Sequence, residues 1–215
     1  MNRPEVTIID YGVGNLLSVQ RGFESCGAKV TLSSDSELIL GAERVVLPGV
    51  GAFKNGMRAL ENLHLDKAVK DFADQGKPLM GICLGMQLLL DESEEFGVSG
   101  GLGLIAGRVI PIPNTTNSGT QLKVPNIGWS SLQPSSLSND WSESLLNDVS
   151  AGEAAYFVHS FMAMPSDPAH CLAECIYGGY RITAAITKEN ITGCQFHPEK
   201  SGEVGLKILH RFLLA

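Results

Sequence analysis

The residues best placed to do chemistry in this 215-residue chain are Gly81-Ile82-Cys83-Leu84-Gly85, between an apolar run ending at Ile82 and a helix-like segment opening at Met86. Gly-x-Cys-x-Gly between a strand and a helix has the form of a nucleophile elbow, with a thiol in place of a hydroxyl. On so sharp a turn the backbone is strained, and the positions two away from the nucleophile must be small. Gly81 and Gly85 meet that demand. The helix that follows aims free N–H groups and its positive end at the sulfur, which favours thiolate over thiol. An ordinary cysteine, with a pKa near ~8.5, is only a few per cent ionised at neutral pH, so a nucleophile needs such help. By itself the pattern fits an inert, buried cysteine at a strand end equally well.

A second segment, Gly193-Cys194-Gln195-Phe196-His197-Pro198-Glu199, supplies a base. Pro198 fixes its own φ and keeps His197 extended. In an extended chain, residues two apart face the same way, so His197 and Glu199 are expected side by side. A carboxylate there orients the imidazole, stabilises its charged form and leaves the other ring nitrogen for a partner. The alternative is a solvated loop histidine beside an exposed glutamate. Cys83 and His197 lie far apart in the chain, as in sites assembled in space.

The elements that must bring these segments together alternate in the first half. Residues 6–9, 29–32, 44–47 and 78–82 read as strands, the third stopped by Pro48-Gly49. Helical spacing follows Gly12 and Gly14 at Leu16, Val19 and Phe23 and closes at Gly27. It recurs over 54–75, broken near 63–66, and opens again over 86–90. This rhythm predicts an α/β fold with a mostly parallel sheet and helices on both faces. In the second half, β segments crowd at 108–112, 129–132, 155–158, 172–177, 182–186 and 191–196, predicting antiparallel additions to the sheet edge. Residues 201–214 form an amphipathic pattern, with Val204, Ile208 and Phe212 on one stripe and Leu209 and Leu213 beside it. Polar loops are expected at 114–120 and 135–139.

Composition narrows the classes. A formal net charge of −7 disfavours nucleic-acid binding, which wants a basic stripe. No run of about 18 apolar residues suggests a membrane span. The first residues pass straight into a strand pattern with no visible export signal. With five cysteines at scattered spacing, that points to reduced thiols in a cytoplasmic protein. The length suits one domain over 1–215.

Several lesser candidates fall away. Gly12-x-Gly14 hints at a dinucleotide loop, but the third glycine position is Leu17. In a strand Cys171 and Cys175 would lie about 13 Å apart, too far to share an ion, and His170 does not repair that, so no metal site is expected. His159 follows the apolar pair Phe157-Val158 and is expected behind the site in a structural role. Met57, Met80 and Met86 read as core filler.

Six blocks together carry a resemblance that spans nearly the whole chain: Asp10-Tyr11-Gly12-Val13-Gly14-Asn15-Leu16, Leu47-Pro48-Gly49-Val50-Gly51-Ala52-Phe53, Gly81 to Gln87, Gly101-Leu102-Gly103-Leu104, Tyr156-Phe157-Val158-His159-Ser160, and Gln195-Phe196-His197-Pro198-Glu199-Lys200. In this order they resemble the class I glutamine amidotransferases. Within that family they are most similar to glutaminase subunits serving histidine biosynthesis. The resemblance implies a flavodoxin-like sheet, a Cys83–His197–Glu199 triad and hydrolysis of glutamine through a cysteinyl thioester without a cofactor.

It further implies an oxyanion site using Leu84 N–H and the loop Gly49-Val50-Gly51, with Ser160 nearby. Gln87 then holds the amino-acid end of the substrate or else faces solvent. Ammonia must pass directly to a synthase, since free ammonia in water is mostly non-nucleophilic ammonium. The implied partner is a (β/α)8-barrel cyclase, docked near Asn15, Tyr156 and Lys200. Two departures stand out: Phe161 where the family usually has Tyr, and Asn126-Ile127-Gly128-Trp129 where histidine-pathway members tend to read His-Met-Gly-Trp. They leave open a paralogue that feeds enzymes amidinating bacterial surface sugars. The same fold could also serve a stand-alone cysteine hydrolase, or a subunit that has lost its chemistry.

Overall fold

The computed structural model describes residues 3–136 and 140–215. Met1, Asn2 and part of the loop expected at 135–139 lie outside the described residues. In chain order the first half runs β1 (Glu5–Ile9), α1 (Leu16–Ser25), β2 (Lys29–Ser33), α2 (Ser36–Gly41), β3 (Val45–Gly49), α3 (Phe53–Asn62), α4 (Leu65–Ala73), β4 (Leu79–Cys83) and α5 (Leu84–Leu88). There follow β5 (Leu90–Ser93), β6 (Ser99–Gly100), β7 (Ile105–Pro111), β8 (Asn126–Ser131), β9 (Gln133–Pro134), β10 (Ala154–His159) and β11 (Phe161–Pro165). The chain ends with β12 (Cys171–Tyr177), β13 (Tyr180–Lys188), β14 (Ile191–Cys194) and α6 (Gly202–Leu213).

The main sheet has eight strands in the order β2-β1-β3-β4-β14-β13-β12-β9. The first five are parallel and the rest antiparallel. The parallel part has the flavodoxin-like order, in which ligands bind beyond the carboxyl ends of the strands. Strand residues alternate between two cores, as a period of two requires. Val6, Ile8, Val46, Met80 and Ile82 pack with Val19 and Phe23 of α1 and Ile208 and Phe212 of α6. Ile9, Val45, Leu47 and Leu79 pack with Phe53 and Leu60 of α3 and Val69 and Phe72 of α4. Helices therefore cover both faces, and Phe23 meets Phe212 with ring centroids 6.0 Å apart. Met57, Met80 and Met86 are all buried in these cores.

Four expectations change. Pro48-Gly49 does not stop the third strand: Pro48 pairs with Ile82 and Gly49 with Cys83. β3 pairs with β1 only through Val45 and Val46, so its flank at Pro48 is free of β1 and needs no N–H there. The helix expected over 86–90 is the five-residue α5, buried on every side, after which the chain turns into β5. Helix α2 went unread, although the Asp35 carboxylate accepts from the N–H groups of Glu37 and Leu38 in an ordinary N-cap. Finally, the second-half strands do not all extend the sheet edge. β8 and β10 pair only with each other, and β5, β6, β7 and β11 form a third sheet. Residues 191–194 are a parallel neighbour of β4.

Candidate active site

Cys83 is the last residue of β4 and takes φ 54° and ψ −111°, a backbone that side chains rarely adopt. The small neighbours are needed as expected. A Cβ on Gly85 would fall 1.8 Å from the Leu47 carbonyl oxygen, and one on Gly81 would fall 2.7 Å from the Met86 backbone. The turn is thus pressed against β3 on one side and its own helix on the other.

His197 leaves β14 extended, at φ −98° and ψ 97°, and its N–H donates to the Tyr156 carbonyl at 2.9 Å. Pro198–Lys200 then forms a 3-10 turn. Glu199 therefore reaches His197 by a turn and not along a strand, with Oε1 2.8 Å from Nδ1. The turn is held from several sides. Ser201 Oγ donates to the His197 carbonyl at 2.7 Å and accepts from Tyr156 N–H at 3.0 Å. Gly205 of α6 sits so close that a Cβ would fall 1.8 Å from the Pro198 carbonyl oxygen. Gly22 of α1 leaves room for Glu199 from the other side.

The His197 and Glu199 side chains are 3% and 1% exposed. Burial alone would lower the imidazole pKa, but the Cys83 sulfur and the Glu199 carboxylate outweigh it and push it up to about 9. Nδ1 is committed to Glu199, while Nε2 is buried without a hydrogen-bond partner among the described residues. An imidazole held charged by a neighbouring thiol suits a thiolate–imidazolium pair.

Cys83 and His197 share a cleft of about 260 Å³ with Val50, Gly51, Leu84, Gln87, Ser160 and Phe161. Gly49 does not line it: it is buried, and a Cβ there would fall 2.5 Å from the Tyr11 hydroxyl and 3.0 Å from Leu84 Cβ. Gln87 does not face solvent. It is buried, and Nε2 donates to the Phe161 carbonyl at 3.2 Å and to Gln195 Oε1 at 2.9 Å. His159 also lines the cleft. Its Nδ1 is 2.8 Å from the Phe161 carbonyl and its Nε2 3.2 Å from Asn126 Nδ2. Because a carbonyl only accepts, the His159 proton is on Nδ1 and Asn126 donates to Nε2. Burial pulls its pKa down to about 4, so this ring is neutral. Of the two departures noted in the sequence, Phe161 lines the cleft, and the second touches it only through Asn126, which backs His159. Phe161 contributes its backbone carbonyl, which is indifferent to a Tyr-to-Phe change.

Val158, Glu95 and Pro125 line the cleft and were missed. Glu95 reaches the cleft from the β5–β6 connection, and its Oε2 accepts from Phe53 N–H at 2.6 Å at the start of α3. Within the acidic run Asp91-Glu92-Ser93-Glu94-Glu95 no spacing singles it out. Pro125 lines the cleft beside β8. Asn15, Tyr156 and Lys200 lie away from it. Asn15 precedes α1, Tyr156 is in β10 and Lys200 is in the Pro198–Lys200 turn, which packs against both α1 and β10. Lys200 is exposed, Asn15 caps α1 without a side-chain bond, and Tyr156 meets the exposed ring of Trp129 edge-on at 6.0 Å.

A family profile described as "Glutamine amidotransferase class-I" matches residues 7–215. The chain is 53% identical over 208 residues to "Imidazole glycerol phosphate synthase subunit HisH 1" of Legionella pneumophila (strain Lens), covering 97% of this chain and 98% of the relative. It is 45% identical to "Imidazole glycerol phosphate synthase subunit HisH" of Geobacter sulfurreducens, with 97% of each covered. Among solved structures, "Crystal structure of glutamine amidotransferase" superposes with a TM-score of 0.71 at 16% identity, covering 97% of this chain and 96% of that one. "Structure of PurLQS from Thermotoga maritima" gives 0.70 at 19% identity, with 99% of each covered. At such identities these two speak to the fold alone.

Proposed function

Because the chain belongs to the class I glutamine amidotransferase family, we propose that it is the glutaminase subunit of an imidazole glycerol phosphate synthase in histidine biosynthesis. It releases ammonia from glutamine for a partner cyclase. The observation that carries the chemistry is the buried His197–Glu199 pair at 2.8 Å, with Nε2 left free in the cleft where Cys83 ends β4.

The steps follow from that arrangement. The Cys83 thiolate attacks the side-chain amide carbon of glutamine, and the carbonyl oxygen becomes an oxyanion. Leu84 N–H, next to the nucleophile, and an amide of the Val50-Gly51 loop are the proposed donors to it. The His197 imidazolium gives its proton to the departing amine, so ammonia leaves and a glutamyl thioester remains. His197, now neutral, takes a proton from water as the water attacks the thioester. Glutamate departs and the thiolate–imidazolium pair is restored. Glu199 orients the ring throughout and stabilises its charged form at each end of the cycle. Gln87, Ser160 and Glu95 line the cleft that takes the amino-acid end. Glu95 is an acidic group suited to an α-ammonium.

Ammonia released into water becomes ammonium and is lost as a nucleophile, so the product must be handed on within a complex. Asn15, Tyr156 and Lys200 are the proposed docking residues for a (β/α)8-barrel cyclase, with Trp129 beside Tyr156. No helix is long and apolar enough to cross a membrane, among the described residues, and a cytoplasmic site of action fits this role.

The test is Cys83→Ala in the assembled complex. Product formation from glutamine is expected to vanish while formation from added ammonium salt survives. Loss of both activities, or of neither, would refute a channelled glutaminase.

A further inference from the structure

We propose that Gln195 is a positioning residue for the nucleophile: its side-chain amide donates to the Cys83 sulfur and holds it as thiolate in the resting site. The proposal rests on Cys83 being the glutaminase nucleophile. Gln195 is fully buried, and its Nε2 lies 3.8 Å from Sγ, within reach of an N–H···S bond.

What makes the contact directional is the chain of bonds behind it. The Phe161 carbonyl can only accept, so the group facing it from Gln87 must be the NH2 end. The second hydrogen of that NH2 points to Gln195 at 2.9 Å, and Gln195 must answer with its oxygen. That leaves the Gln195 NH2 for the sulfur. A side-chain amide is ambiguous between its two ends when isolated; here a backbone carbonyl two bonds away fixes both amides in sequence. His159 Nδ1 donates to the same carbonyl and reinforces its role as acceptor.

The sulfur therefore meets an N–H on this side. Sγ is also within hydrogen-bond reach of the Val158 carbonyl, at 4.0 Å, a bond it makes only as a thiol. A thiolate accepts and cannot donate, so ionisation gives up the longer contact to Val158 and keeps, charge-assisted, the one from Gln195. The chain also joins the cleft to the sulfur, because Gln87 lines the cleft. A ligand that pulls on the Gln87 amide acts on the donor to Cys83.

The experiment follows the rate at which iodoacetamide alkylates Cys83 against pH, read by peptide mass spectrometry on the full-length protein, beside glutaminase kcat and KM. Gln195→Met keeps the volume and removes the donor. Its alkylation midpoint is expected to rise by about one pH unit, roughly tenfold less thiolate below both midpoints. kcat should fall while KM holds. Gln195→Glu sets a negative charge beside the sulfur and should raise the midpoint further. Midpoints equal to the wild type's, in folded variants that have lost activity, would mean a purely structural role and overturn the proposal. If Gln195→Met does not fold, Gln87→Met decides. It frees Gln195 to rotate and should raise the midpoint less, and an unmoved midpoint overturns the proposal. Should alkylation of wild-type Cys83 leave glutamine hydrolysis intact, the nucleophile assignment itself falls, an outcome distinct from the others.

Discussion

Two histidines that line the same cleft are displaced in opposite directions from the ordinary value of 6.5. Burial holds His159 down to about 4, so it helps the fold only while neutral. Its contribution is complete above pH 6.5 and is lost as pH falls through about 4, on the order of 3 kcal/mol. Despite its burial, His197 is raised to about 9 by the neighbouring Cys83 sulfur and the Glu199 carboxylate. Its contribution is complete below pH 6.5 and lost as pH rises through about 9. Denaturant midpoints measured from pH 4 to 10 should therefore peak near pH 6.5. His159→Gln should flatten the acid limb and His197→Asn the alkaline one. Parallel acid limbs for wild type and His159→Gln would refute the assignment of the neutral ring. At this scale the gathering of Cys83, His197 and Glu199 was legible, because Gly-x-Cys-x-Gly and His-Pro-Glu are local patterns with local physical reasons. Glu95 and the Gln195–Cys83 contact were not, because they depend on which distant segments become neighbours.

Helix α6 does more than bury an apolar stripe. Its Gly205 gives the Pro198 carbonyl the space it occupies, and so sets the height of the turn that carries Glu199. Replacing a helical glycine by alanine ordinarily stabilises by about 0.5–1 kcal/mol. Gly205→Ala is expected to do the reverse, because the added carbon would fall 1.8 Å from a backbone oxygen. The turn must shift, and kcat should fall more than the thermal midpoint does. A variant with raised stability and full activity would refute this coupling. The period-two and helical patterns located most of the elements correctly. They could not give sheet membership, because β8 and β10 alternate as convincingly as strands of the main sheet. Nor did they end α5 after five residues, since buried leucines run on from Leu88 into β5 without a polar break.

Seen whole, the molecule separates its tasks. The cleft opens beyond the carboxyl ends of β3, β4 and β14, while α1, the Pro198–Lys200 turn and β10 present Asn15, Lys200 and Tyr156 elsewhere. If these three residues meet the cyclase, Tyr156→Ala should weaken the complex by roughly tenfold, as expected of a buried aromatic anchor. Lys200→Ala should weaken it less and mainly at low salt. Both can be read by titrating labelled protein with the cyclase, and unchanged affinity for both would move the docking face. The order of strands has one more consequence. β14, near the end of the chain, is inserted between β4 and β13, which are already complete when it arrives. During synthesis the thiol thus emerges more than a hundred residues before its base, and the β4 edge waits open for a strand not yet made. A ribosome-bound chain stalled before residue 191 would hold a cysteine without chemistry and a sheet with its seam unclosed.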